Sequence, residues 1–358
     1  MGQSLRVLVI VPHLGGGGAE RVAALVAGGL SKEKYEVHLV LAAQANRAIE
    51  SLPPAVAVHT LGARRVRSAA IPLVRLVRRI RPDVILSGAA HLNFLVLLLR
   101  PLFPRKTRVL VRQDATVSSV LAFGSLPWYT SLLYRSLYCR ADQVICPSRA
   151  MADDLARELR LGKERIAVLA NPVDLEALRA TGRETNEAQA SWIGPGPHLL
   201  AVGRLAREKG FDLLLEALVT VREQFPRADM IIAGAGPEEE ALKAQCRLLG
   251  LEGVVRLPGY VQRPYIFYAG ASLFVLSSRY EGMPNALLEA AAGGLPIVAT
   301  PASGGIVDML RNRQKSWLTP EITTASLAST LLKSLEELNA GQRFHRAFPP
   351  AGAPEPWN

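Results

Sequence analysis

The chain has 358 residues, 49% of them hydrophobic, and carries 42 Lys and Arg against 31 Asp and Glu for a formal net charge of +11. That length and apolar content support two sizeable cores and favour two domains over one. Cys139, Cys146 and Cys246 are too few and too scattered for a disulfide framework or a metal knuckle, which suits a reducing compartment. No stretch reaches the roughly 20 apolar residues of a spanning helix, since Arg100 interrupts the best run, 92–99.

The first strand is predicted over 6–11 and runs through Pro12, His13 and Leu14 into four consecutive glycines, 15–18, ahead of a helix over 19–30. A loop so bare, Gly16 and Gly17 included, lets backbone pass close to a ligand in front of a helix N-terminus. It lacks the spaced glycines of a dinucleotide site. Short β-branched runs at 37–41, 83–86, 108–111 and 143–146 read as buried parallel strands. His91 and Asp114 each follow one of these runs, where an open α/β sheet holds its ligands. After a polar, Gly/Pro-rich interval at 181–197 the alternation restarts, with strands at 199–202, 230–233, 254–257, 273–276 and 296–300 and a helix over 211–225. The expected architecture is α/β: two Rossmann-like, doubly wound domains facing across a cleft. The first covers 1–180, a linker 181–197 and the second 198–340, and the Pro-rich close at 341–358 reads as disordered.

Charge is uneven. Residues 1–180 carry 25 Lys and Arg against 13 Asp and Glu, whereas 181–358 carry 17 against 18. Arginines at 64, 65, 67, 75, 78, 79 and 81 flank an apolar helix pattern at 71–80, followed by the run at 92–99 and by Pro127, Trp128, Tyr129, Leu132, Leu133, Tyr134, Leu137 and Tyr138. Cationic helices with apolar faces suit an anionic membrane surface, and the alternative is that these faces cover the domain's own sheet. No helix-turn-helix or RNA-binding signature accompanies the basicity, so nucleic acid is not expected as a partner.

Two segments carry chemistry. In the first, Gly203-Arg204-Leu205-Ala206-Arg207-Glu208-Lys209-Gly210 follows a buried strand, and its guanidinium and ammonium groups suit pyrophosphate oxygens. In the second, Glu281-Gly282-Met283-Pro284-Asn285-Ala286-Leu287-Leu288-Glu289 turns a strand into a helix whose first turn takes Pro284 without cost. A helix N-terminus at a sheet edge holds a diphosphate without a metal. Two carboxylates beside it would repel phosphate alone, yet they suit a ligand with hydroxyls next to its phosphates, and a nucleotide sugar is such a ligand.

Those two segments resemble the signatures of the group 1, or family 4, glycosyltransferases, which are retaining enzymes of GT-B fold. The glycine loop through Arg21, the segments 141–148 and 166–174, and Gly234 to Glu238 with Leu257 to Val261 extend the resemblance over 5–310. The resemblance implies that Glu281 approaches the donor sugar, Glu289 holds the ribose, and Arg204 and Lys209 neutralise the leaving diphosphate. It further implies that the Gly16–Gly17 loop lies over the donor phosphates and the acceptor, and that Gly203, Gly234, Tyr260, Val261, Gly282, Met283, Pro284 and Asn285 border the donor. His91 and Asp114 are candidates for the first domain's contact to the sugar; relatives often carry His or Asn where Asp114 stands. No cofactor or metal is expected besides the nucleotide sugar. The acceptor is expected to be a glycan or lipid-linked saccharide, with the protein in the cytoplasm at the inner face of the membrane. An inactive protein that binds nucleotide sugars is the other reading. The last fifty residues match poorly, and no terminal helix is placed there.

Overall fold

A computed structural model describes residues 4–14, 17–30, 35–43, 52–123, 129–181, 192, 195–262 and 264–340. The chain divides into two compact units, 1–172 and 173–358. The boundary thus precedes the expected one at 180. The helix that follows it is amphipathic, and its Leu178 is buried with Trp192, Leu200 and Tyr268 of the second unit, which draws the segment out of the first. Of the expected linker, 182–191 and 193–194 fall outside the described residues, as does the tail at 341–358.

The first unit begins β1 (Leu5–Val11), α1 (Gly18–Gly29), β2 (Tyr35–Leu41), β3 (Ala57–Thr60), α2 (Ala70–Ile80), β4 (Val84–Gly88) and α3 (Ala90–Leu99). It continues β5 (Arg108–Arg112), α4 (Val117–Phe123), α5 (Thr130–Leu137), β6 (Gln143–Cys146), α6 (Arg149–Leu159) and β7 (Ile166–Val168). Among the described residues seven parallel strands stand in the order β3-β2-β1-β4-β5-β6-β7. The order reverses direction at β1 and β4, and at such a switch point the loops leaving the strands part to open a crevice. β1 and β2 pair over their whole length because both faces are covered, as their continuous Val, Ile and Leu runs require.

Helical period, not membrane affinity, explains most of the apolar residues around the arginines. Leu73 and Val77 of α2, Leu92, Val96 and Leu97 of α3, and Tyr134 and Tyr138 all lie in the unit's own core. Only Ile71, Leu98, Leu102, Tyr129 and Leu132 of this region are exposed large hydrophobics among the described residues. Pro127 and Trp128 fall outside them.

The second unit holds α7 (Leu175–Thr181), β8 (His198–Val202), α8 (Phe211–Gln224), β9 (Asp229–Ala233), α9 (Glu239–Leu248), β10 (Val255–Arg256) and α10 (Tyr265–Gly270). It closes with β11 (Leu273–Leu276), α11 (Asn285–Ala292), β12 (Ile297–Ala299), α12 (Gly304–Leu310), β13 (Ser316–Leu318) and α13 (Thr324–Ala340). Its six parallel strands among the described residues run β10-β9-β8-β11-β12-β13, again with the switch beside β8. α13 is a terminal helix that the sequence did not place. Its Leu327, Leu331, Leu335 and Leu338 bury in one core with Leu214, Leu218 and Val221 of α8. Both units are thus doubly wound parallel α/β sheets, as expected, and among the described residues no helix is long and apolar enough to cross a membrane.

Candidate functional site

In the second unit the loops leaving β8, β9, β10 and β11 meet. Glycine is required where they touch: a Cβ on Gly234 would stand 1.8 Å from the carbonyl oxygen of Gly203, and one on Gly236 would stand 2.2 Å from that of Leu205. The Gly203 N–H donates to Ala233 and the Gly234 N–H to Gly259, which ties the three strand ends into one floor. Tyr260 and Val261 continue from that floor, with Tyr260 exposed.

Beyond Gly203 a single 3-10 turn, 207–209, ends at Gly210, whose φ of +62° places its Cα against the Ser277 carbonyl. The Ser277 hydroxyl donates to the Lys209 carbonyl at 2.9 Å, fastening this loop to the end of β11. Lys209 then pairs with Glu281. The Ser278 hydroxyl donates to the same Glu281 oxygen at 2.7 Å. Both side chains are largely shielded, so the charges meet in a low-dielectric setting where the attraction is strong. The two motifs quoted from the sequence therefore join through Lys209 and Glu281. Arg204 does not enter that pair: it is exposed and pairs with Glu208 one turn on.

Glu289 takes a different place from Glu281. It is buried in the second turn of α11 and accepts a hydrogen bond from the Tyr268 hydroxyl at 3.0 Å. Pro284 is the N-cap and not part of the first turn as expected, because its ψ of 124° is still extended and the helix begins at Asn285. The Gly282 carbonyl accepts from Ser303 at 2.8 Å, and Ser303 also caps α12. Sequence reasoning missed Arg279, which forks onto Asp212 at 2.6 and 2.7 Å and donates to the Arg207 carbonyl. The fork holds Asp212 below the usual carboxylate range although burial acts the other way. Its signal was available, since Arg279 lies inside the motif and Asp212 opens the helix after Lys209.

In the first unit Gly17 is the N-cap of α1 and Gly16 falls outside the described residues. A Cβ on Gly17 would stand 2.0 Å from the Glu20 carboxylate, so the glycine makes room for Glu20. Glu20 lies 3.9 Å from His13 at the end of β1. Asp114, after β5, accepts the Ala89 N–H at 2.8 Å and pairs with Arg112 at 3.0 Å. Ala89 stands at φ +76°, a conformation costly for a residue with a Cβ, and Asp114 is what restrains it. His91 follows one residue into α3. Loss of hydration pushes the His91 pKa down, Glu20 opposes and His13 adds to the shift. Burial pushes the Asp114 carboxyl up against the pull of Arg112 and the Ala89 N–H, and Glu20 adds to the rise. Beneath them Asn93 donates to the Arg112 carbonyl at 2.9 Å, and the Tyr138 hydroxyl donates to Gln113 at 2.8 Å. The sequence pointed to His91 and Asp114 and missed Glu20 and Arg112 as their companions.

Comparison with known proteins bears on the family and the fold. The family model "Glycosyltransferase Family 4" matches residues 16–177, and "Glycosyl transferases group 1" matches 196–337. A Campylobacter jejuni N-acetylgalactosamine-N,N'-diacetylbacillosaminyl-diphospho-undecaprenol 4-alpha-N-acetylgalactosaminyltransferase is 27% identical over 343 residues, 92% of this chain and 90% of that protein. An Agrobacterium fabrum mannosylfructose-phosphate synthase is 30% identical over 226 residues, but the match spans only 49% of its length. Among solved structures, HepE of Anabaena in complex with UDP and glucose superposes with a TM-score of 0.77 at 18% identity, over 96% of this chain and 93% of that one. The two sheets thus have the GT-B fold. With family models matching both units over most of the chain, this protein belongs to the group 1 glycosyltransferases of family 4.

Proposed function

We propose that the chain is a retaining, metal-independent transferase that moves a hexose or N-acetylhexosamine from a nucleotide sugar, UDP-linked, to a lipid-linked or glycan acceptor on the inner face of a membrane. The observation that carries it is the Lys209–Glu281 pair, which joins a diphosphate-neutralising group to a sugar-orienting one. The UDP and glucose of the Anabaena structure and the diphospho-undecaprenol acceptor named for the Campylobacter relative support the donor and acceptor classes.

In this reading the bond from the anomeric carbon to the diphosphate breaks while positive charge grows on the sugar. Lys209, Arg204 and backbone N–H groups along Gly282, Met283, Pro284's successor Asn285 and the helix it opens stabilise the departing oxyanion. The acceptor hydroxyl attacks from the leaving-group side, forms the new glycosidic bond and passes its proton to the departing phosphate oxygen. Glu281 orients the sugar, Glu289 takes the ribose hydroxyls, and His91 and Asp114 are the first unit's candidates for a contact to the sugar. The donor lies on Gly203, Gly234, Tyr260 and Val261. The excess of cations in the first unit provides the attraction to anionic lipid.

The test is release of nucleoside diphosphate from UDP-, GDP- and ADP-sugars, with and without membrane lipid extract, by the native chain and by Glu281→Gln. Lipid-stimulated release from a UDP-sugar, reduced by about 10²-fold or more in the variant, is expected. Tight donor binding with no release from any donor would leave the inactive, ligand-binding reading.

A further inference from the structure

We infer that the first unit carries a second ligand site, a phosphate-binding pocket at the edge of its sheet where the strands begin. All seven strands are parallel, so this edge is the one opposite Gly17, His91 and Asp114. A cavity of about 460 Å³ opens there, lined by Arg100, Phe103, Pro104, Arg105, Thr107 and Arg140. These residues come from the turn between α3 and β5 and from the entry to β6.

The wall is firmly built. Phe103 and Thr107 are buried. The Thr107 hydroxyl donates to the Pro82 carbonyl at 2.7 Å, its N–H donates to Pro104 at 3.0 Å, and the Phe103 N–H donates to Arg100 at 3.1 Å. Asp142 is the carboxylate that binds into this wall, and its capacity is taken. Both ends of the Arg100 guanidinium fork onto it, and its Oδ2 also accepts the Val109 N–H at 2.6 Å. Burial raises its pKa, but Arg100, the Val109 N–H and Arg108 together draw it below the usual range, so the charge stays committed.

Arg105 and Arg140 are left over. Both are exposed, and neither side chain makes a hydrogen bond or ion pair among the described residues. Two uncompensated guanidinium forks on a concave surface fit the tetrahedral oxygens of a phosphoryl group better than any neutral ligand. Exposed Leu98 and Leu102 stand on the same edge, and Arg78 donates to the Leu102 carbonyl at 3.2 Å, which brings a further cation to the rim. An apolar rim beside a phosphoryl site suits a phospholipid headgroup, although a soluble phosphoester shares the same chemistry. The inference does not rest on the transfer reaction. It bears on the proposed lipid docking by moving it from a general charge excess to one pocket.

Two measurements test it. In the first, the native full chain is treated with phenylglyoxal with and without inorganic phosphate, and modification at Arg105 and Arg140 is read by peptide mass spectrometry; phosphate is expected to protect both relative to exposed Arg64. In the second, flotation with vesicles of phosphatidylglycerol in phosphatidylcholine is compared for R105E/R140E and for R64E/R67E, which makes the same charge change at the other edge. Loss of partitioning by about tenfold or more in the first variant alone, with protection by phosphate, identifies the headgroup as the ligand. Protection with equal flotation of both variants identifies a soluble phosphoester. Absence of protection overturns the pocket whatever the vesicles do, and flotation lost only in R64E/R67E would then leave the lipid reading standing without it.

Discussion

Asp114 shows how one side chain serves geometry and electrostatics together. Its two oxygens are spent on the Ala89 N–H and on Arg112, holding a strained backbone next to His91. Because burial raises its pKa in the fold, the contribution of this group to stability is greatest at low pH, below the unfolded value of about 4. It is lost as pH rises through the higher folded value. Asp114→Asn keeps the shape without the charge. Urea denaturation of both proteins across a pH series is therefore expected to show the native chain losing stability relative to the variant from about pH 4 upward. Parallel curves would mean that Arg112 fully offsets the burial. Glu281 and Lys209 stood out in the sequence by residue type and motif, and the fold pairs them. Glu20 did not, because its meeting with His13 depends on an approach that only the folded loops decide.

At the scale of elements, the sequence disclosed ten of the strands because each carries a short, mainly apolar run. It did not disclose β3, β7 and β13, which are edge strands with exposed or half-buried residues; β3 and β13 mix polar residues into the run, and β7, though apolar, is a three-residue strand at the sheet edge. α13 was missed for a related reason, since its alternation of Ser, Thr and Glu with Leu is ordinary until α8 is seen to cover one side of it. Gly210 tests how tightly loop and strand are coupled. A Cβ there would meet the Ser277 carbonyl at 2.1 Å, in a backbone conformation that already disfavours side chains. Gly210→Ala is expected to lower stability by about 2–4 kcal/mol and, by displacing Lys209, to weaken donor binding. Thermal unfolding and UDP titration read the two effects, and an unchanged melting temperature would show that the loop yields.

For the whole molecule, each unit has its own sheet and its own cores, and every donor-contacting candidate from Gly203 to Glu289 lies in the second. A fragment spanning 173–358 is therefore expected to unfold cooperatively and to bind UDP without the first unit, measured by circular dichroism and calorimetry. A folded fragment that fails to bind UDP would place part of the nucleotide site elsewhere.

The contact between Lys209 and Glu281 has a bearing on selectivity among anions. The Lys209 ammonium has a counter-ion within the fold, held in place by Ser278. In the proposed reading a free phosphate must compete with that carboxylate and offers nothing to it in return, whereas a glycosylated diphosphate brings hydroxyls that Glu281 accepts from once Lys209 turns to the phosphate. Under the proposed function this pair is an internal salt that dissociates profitably only for a ligand bearing both functions, and discrimination against the abundant simple anions follows from it.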